Sequence, residues 1–200
     1  MPGDPLGLQF SEVMTGAFAL GETDPQAGAD RGKKEKTTMS LQAKCTIDDL
    51  DAFIQDGNHA GKLDASVQFT TWGGAAIPGD NSKLNLLSPG AARQERTMIY
   101  ETRISQGGKS YYFAGKKFVH HEHGPEVLKE TTTLYSVLHS GNDDSGPIVG
   151  AGILILGPAA IADLVKNMKV LNAKSPFDTA RGIGKYLRFF MGSLWDTYIP

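Results

Sequence analysis

The chain has 200 residues, with 20 basic and 22 acidic side chains, a formal net charge of −2 and one cysteine. Near-neutral charge argues against a nucleic-acid binder, which shows a basic patch or stripe, and a lone Cys45 excludes both an intrachain disulfide and a Cys-rich zinc site. The length suits one domain, 1–200, large enough to bury a core without crosslinks or metal.

The first ten residues carry neither a basic segment nor an apolar one, so no secretory leader is expected. No apolar run reaches about 18 residues, so no transmembrane segment is expected, and the reading is a cytoplasmic protein. From residue 8 to 20, Leu8, Phe10, Glu12, Met14, Phe18 and Leu20 share one face of a period-two pattern that Gly16 interrupts. A carboxylate on the inward face of a strand needs a partner or a solvated cavity. Glu12 is therefore a candidate site residue, with Arg103, Tyr100 and Trp195 as candidate donors to it. Residues 22–36 are rich in Gly, Asp and Lys without periodicity and are expected to form a mobile loop, its Arg31, Lys33, Lys34 and Lys36 solvated.

Met39, Leu41, Ala43, Cys45 and Ile47 alternate with polar residues as a half-exposed strand, in which Cys45 reads as a packed thiol. A short helix follows from 48 to 54, capped by Asp48 or Asp49. Residues 63–69 alternate again, a Gly/Pro loop runs through Asp80, 84–87 is a weak strand and 97–105 a stronger one. The hairpin at 106–109 leads into the block 109–157, around which the chain is organised. It holds three strand-like runs, 110–122, 128–140 and 148–156, separated by Gly/Pro/Asn/Asp turns. Both faces of the third run lack charge, and Gly150 and Gly152 on one face predict a close backbone approach. A helix from Pro158 to Met168, a short strand at 169–173 and a C-terminal helical segment at 178–198 complete the order. About nine strands in antiparallel sequence predict a mainly β fold: a single closed antiparallel β-barrel or strongly curled sheet, lipocalin-like, with a short helix after strand two and C-terminal helices.

Motifs for a reaction are few. Gly107-Gly108-Lys109-Ser110 has Arg103 where a phosphate-binding loop needs glycine, and no helix follows. Gly150-Ala151-Gly152 and Gly182-Ile183-Gly184 lack the third glycine of a dinucleotide site, and no G-x-S-x-G elbow occurs. His120-His121-Glu122-His123 has metal-ligand chemistry, but on a strand His121 and His123 share one face and His120 and Glu122 the other, so a third ligand such as His59 or His139 would be needed. The plainer reading is an exposed polar strand end, and no metal is assigned. Glu12, Tyr100, Tyr112, His120, Tyr135 and Trp195 are the candidate ligand-binding residues, a few polar groups that would line an apolar cavity. The same tyrosines could equally hold their hydroxyls at the barrel rim. The last helix sets Phe189, Phe190, Leu194 and Trp195 beside Lys185 and Arg188, a pattern that packs on its own sheet, on a partner or on a membrane.

Three stretches occur in order: Phe10-Ser11-Glu12-Val13-Met14-Thr15-Gly16, Glu130-Thr131-Thr132-Thr133-Leu134 and the run from Phe189-Phe190-Met191-Gly192-Ser193 to Leu194-Trp195-Asp196-Thr197-Tyr198. Together they resemble a β-rich domain found beside flavin-dependent, cholesterol-oxidase-like (GMC-type) oxidoreductases in large bacterial fusion proteins. The resemblance runs from Leu8 to Tyr198. The chain departs from the family at Glu130, where Asp is usual, and at His121 and His123, where acidic residues are usual. It implies an association with sterol or other lipid metabolism and brings no catalytic residues. The oxidase's flavin-binding motif is absent, so no cofactor is carried over. The leading expectation is an accessory barrel that binds a lipid- or sterol-like molecule or docks on a flavin oxidoreductase. The alternatives are a small isomerase, cyclase or hydrolase acting in the barrel mouth through Glu12, a tyrosine and a histidine, and a structural module that forms a homo-oligomer. A hollow apolar interior favours the first, convergent perturbed polar groups the second, a filled core with a broad apolar surface the third.

Overall fold

The computed structural model describes residues 4–90, 95–119 and 125–198, with backbone alone for 125–128 and 193–198. Within them β1 (Gly7–Leu20), β2 (Thr38–Ile47), β3 (Ala60–Phe69), β4 (Ala76–Pro89), β5 (Arg96–Gln106), β6 (Lys109–Val119), β7 (Thr133–Ser140) and β8 (Ile148–Ile155) each pair antiparallel with the next. β8 pairs back onto β1, which closes an eight-stranded up-and-down barrel, the mainly β fold that the alternation predicts. A ninth strand, β9 (Lys169–Leu171), adds to Gly7, Leu8 and Gln9 of β1, on the edge that β8 occupies from Thr15 to Leu20.

Register follows from which residues must be dry. β1 and β2 pair from Leu8 opposite Ile47 to Ala17 opposite Thr38, so Leu8, Phe10, Met14 and Phe18 turn inward together with Met39, Leu41, Cys45 and Ile47. A slip of one residue would turn both sets to water. Eight strands enclose a space that side chains alone can fill. Here Phe69, Tyr100, Phe113, Leu134, Leu138 and Leu154 fill it, all buried.

Three stretches differ from expectation. Residues 22–36 are not a mobile loop but contain α1 (Pro25–Glu35). Asp24 accepts a hydrogen bond from the Ala27 N–H (2.9 Å), Pro25 starts the first turn, and Lys36 ends the helix with a left-handed backbone. The buried face of α1 is Gly28, Ala29 and Gly32, so its packing leaves no apolar periodicity to detect. The run 128–140 begins as a helix, α3 (Pro125–Thr132), and only then becomes β7; the Thr133 hydroxyl donates to the Lys129 carbonyl (2.7 Å) at the junction. The expected loop and weak strand between 76 and 87 belong to the single strand β4. Its register shifts between Asp80 and Lys83 and again between Asn85 and Ser88, which lets Leu84, Leu86 and Leu87 all be buried and erases the period of two.

α2 (Leu50–Gln55) is capped by Asp49, which accepts from the N–H groups of Asp51 and Ala52 (2.8 and 3.1 Å). α4 (Pro158–Asn167) starts on proline, as expected. α5 (Pro176–Tyr198) starts with a reciprocal cap: Ser175 accepts from the Asp178 N–H (3.1 Å) and donates to its carboxylate (2.9 Å). No described helix is long and apolar enough to cross a membrane.

Glycine is required where chain meets chain. A Cβ on Gly152 would lie 2.4 Å from the Ala17 carbonyl oxygen, as the expected close approach of this strand demands, and one on Gly28 would lie 2.0 Å from that of Ala151. Gly184 of α5 faces open space. Alanine normally stabilises an exposed helix position by up to about 1 kcal/mol over glycine, so Gly184→Ala is expected to raise the urea midpoint. Gly28→Ala is expected to lower it, by about 1–3 kcal/mol, because α1 must lift from β8.

Candidate functional site

Two places concentrate chemistry: the barrel axis and the end covered by α2 and α5. On the axis, Glu12 of β1 accepts a hydrogen bond from the Tyr100 hydroxyl of β5 (3.0 Å to Oε1) and one from Nζ of Lys117 of β6 (3.0 Å to Oε2). The Lys117 ammonium also stands 5.0 Å from the centre of the Tyr100 ring, within cation–π range. Relative exposure is 5% for Glu12, 2% for Lys117 and 1% for Tyr100, so the three groups serve one another rather than solvent. β1 and β5 lie on opposite sides of an eight-stranded ring, so the Tyr100–Glu12 bond spans the barrel. A shallow depression of about 310 Å³ on the outer wall of β1, β2 and β3 touches Glu12 among outward residues such as Ser11, Val13, Gln42 and Lys44, which places it behind the strand rather than at the carboxylate.

The environment favours neutral neighbours. Burial first, then the Glu12 charge, pushes the Cys45 thiol well above its ordinary value, and the same two causes raise the Tyr100 phenol. Tyr186 of α5 is raised as well, by burial and then by the Glu12 charge. Cys45 is fully buried, as its alternation predicts.

Tyr186 belongs also to the second place. It packs on Phe10 with ring centroids 5.9 Å apart and so closes this end of the barrel. Phe189 stands edge-on to Phe53 (5.3 Å) and His59 (4.7 Å), while Nδ1 of His59 donates to the Leu87 carbonyl (3.1 Å). Lys185 pairs with Asp51 and Arg181 with Asp178, whereas Arg188 makes no ion pair among the described residues. Between α2 and α5 lies an open cavity of about 650 Å³ lined by Ile54, Arg181, Gly184, Lys185, Arg188 and Phe189. Beside it a cleft of about 420 Å³ shares Arg181 and Lys185 but also holds Asp4, Asp51 and Asp178.

Of the residues expected to line one site, the fold brings together Glu12 and Tyr100. Tyr112 sits on the outer wall, where it donates to Glu101 (2.9 Å), and burial followed by that carboxylate raises its phenol. Tyr135 is 40% exposed on the same wall, against the ring of Phe118 (6.0 Å). His120, like His121 and His123, lies outside the described residues, and so does the side chain of Trp195. Arg103 is not a partner of Glu12; it forms a two-bond pair with Asp80 (2.6 and 2.8 Å). The partner missed in the sequence is Lys117. Phe113, Gly115, Lys117 and Val119 share the inward parity of β6, so the signal was there, hidden by Lys116 beside it. Among the described residues no group of three His, Cys, Asp or Glu is placed to hold a metal. No family model, curated protein or solved structure matches the chain.

Removing one member of a buried pair strands the other charge, at about 3–5 kcal/mol. Glu12→Gln or Lys117→Met alone is therefore expected to lower Tm by roughly 6 °C or more, and the double variant Glu12→Leu with Lys117→Met to recover most of that loss. A double variant as unstable as the worse single one would contradict a mutual pair.

A second expectation concerns alkali. Unfolded, Cys45 deprotonates near about 8.5, and Tyr100 and Tyr186 near about 10; folded, all three hold their protons to higher pH. The unfolded state then binds fewer protons, so the stability these groups contribute is intact below those ordinary values and lost as pH rises past them. The slope is roughly 1.4 kcal/mol per pH unit for each group, steepest once both phenols take part. Urea midpoints measured from neutral pH upward test it.

Proposed function

We propose that this chain is an accessory binding module rather than an enzyme, one that takes an apolar molecule at the end of the barrel covered by α2 and α5. The barrel interior is filled rather than hollow, which removes an interior ligand site and by itself favours a structural module; the observation that carries the binding reading is the contrast between the two places. Around Glu12 the polar groups are paired with one another and sealed under Tyr186, which leaves an isomerase or hydrolase reading no bound-substrate position at the carboxylate. At the end cap an open cavity of about 650 Å³ has the size of a small-molecule site, with Ile54 and Phe189 as its apolar surface. The resemblance of the three sequence stretches to a domain found beside sterol-type flavin oxidoreductases supports a lipid or sterol as the molecule, and such an oxidoreductase as the partner that uses it.

The test is equilibrium binding of a fluorescent sterol and a fluorescent long-chain fatty acid to the folded protein. At least one is expected to bind, with affinity unchanged in the double variant Glu12→Leu with Lys117→Met and weakened in Ile54→Asp at the cavity wall. Binding of neither probe, or binding lost in the interior variant and kept in Ile54→Asp, would overturn the reading.

A further inference from the structure

We infer that the cavity between α2 and α5 selects its ligand by a negative head group: its occupant is a single-chain amphiphilic anion, a long-chain carboxylate. This rests on the reading above that the cavity is the binding surface, and adds the chemistry of the ligand.

The charge around the cavity is one-sided. Among the described residues, three of its six lining residues are cations, Arg181, Lys185 and Arg188, and none is a carboxylate. The neighbouring cleft shows what balance looks like, with Asp4, Asp51 and Asp178 set against Lys174 and the shared Arg181 and Lys185. Lys185 and Arg181 already face Asp51 and Asp178, so the unmatched charge on the open side is centred on Arg188. The chain as a whole is slightly acidic, so this excess is not a general background.

Helix geometry aligns these groups. Positions 181, 185 and 188 are four and three residues apart on one face of α5, and the first and last stand about 10 Å apart along the axis. Gly184 between them carries no side chain to block the trough. The apolar part of the lining is Ile54, from α2, and Phe189, beside the cations on α5 and braced by Phe53 and His59. An arginine fork above a fixed apolar wall matches an oxyanion joined to a hydrocarbon chain, the fork taking two oxygens at once. Phe177, Leu187 and Met191 are exposed on the same helix, which makes an anionic bilayer the rival occupant. The unmatched Arg188 stands at a recess between two helices rather than on a broad apolar face, and that favours the single chain.

The experiment titrates the full chain with oleate and with oleyl alcohol, both kept monomeric, by calorimetry at low and physiological salt. Oleate is expected to bind at least about tenfold more tightly, with the margin narrowing as salt rises. Arg188→Glu is expected to remove the margin and Arg188→Lys to keep part of it, while Lys116→Glu on the barrel wall leaves it intact. These side chains are exposed, and circular dichroism confirms that the variants fold. Equal binding of oleate and alcohol would overturn the inference and leave apolar binding standing; binding of neither would overturn the inference, and would overturn the reading beneath it as well if the fluorescent sterol also fails to bind. Flotation with phosphatidylglycerol vesicles and no binding of monomeric oleate would also overturn it, and would make α5 a membrane-docking helix.

Discussion

A carboxylate on β1 meets a phenol on β5 and an ammonium on β6 in the middle of a barrel filled mostly with hydrocarbon, and much of the architecture can be understood from that meeting. Desolvating two charges costs several kcal/mol each, and their attraction returns this only when geometry and further hydrogen bonds are good. The Tyr100 hydroxyl and ring supply both, one as a donor to the second carboxylate oxygen and the other as a face for the ammonium. What such a group adds over leucine and methionine is uniqueness. Hydrocarbon residues tolerate several registers, whereas Glu12, Tyr100 and Lys117 are satisfied together only when β1, β5 and β6 all stand in their native alignment. Because they sit on opposite parts of the ring, one local contact constrains the closure of the whole barrel.

The outer wall is settled by the opposite device. β1 and β8 meet where Phe18 faces Gly150 and Gly152 across the strands, and on the outside α1 presses Gly28 and Gly32 against the same backbone. Small residues let main chains approach until dispersion contacts are dense, without a large apolar side chain at the interface. Closure at the β1–β8 seam thus depends on absent side chains, and closure across the axis on a buried ionic group.

That division explains what was legible in the sequence. Strands with one wet face, such as β1 and β2, announced themselves by parity, and parity alone placed Glu12, Cys45 and Tyr100 inside. α1 did not, because a Gly/Ala face has no hydrophobic period; its Asp24-Pro25 start was the one readable sign. β4 was obscured by two register shifts, since a bulge moves successive residues onto the same face. β-Branched threonines at 131–133 favour strand, yet the first two complete α3 before β7 begins, a choice made by the fold rather than by propensity. In the site, Tyr112 and Tyr135 had outward parity, which residue type alone overrode. Lys117 had inward parity, which its charge concealed. The cations of α5 were visible, but which of them meet a carboxylate, as Lys185 meets Asp51 and Arg181 meets Asp178, and which does not, as Arg188 among the described residues, is a fact of tertiary structure.

Tyr186 connects the two places. Its ring closes the barrel over Phe10, while its helix carries, within about a turn and a half on either side, residues that line the cavity. The aromatic contacts of α5 with α2, and of Phe189 with His59, fix the helix from the other side. A helix held between a packed interior and a braced rim is a rigid presenter, and side chains on rigid elements keep a recognition geometry better than those on loops. In the binding role proposed above, a filled barrel is useful for this reason: the interior is packed and tied across its axis, and the rigidity so obtained is passed to the end that carries the cavity.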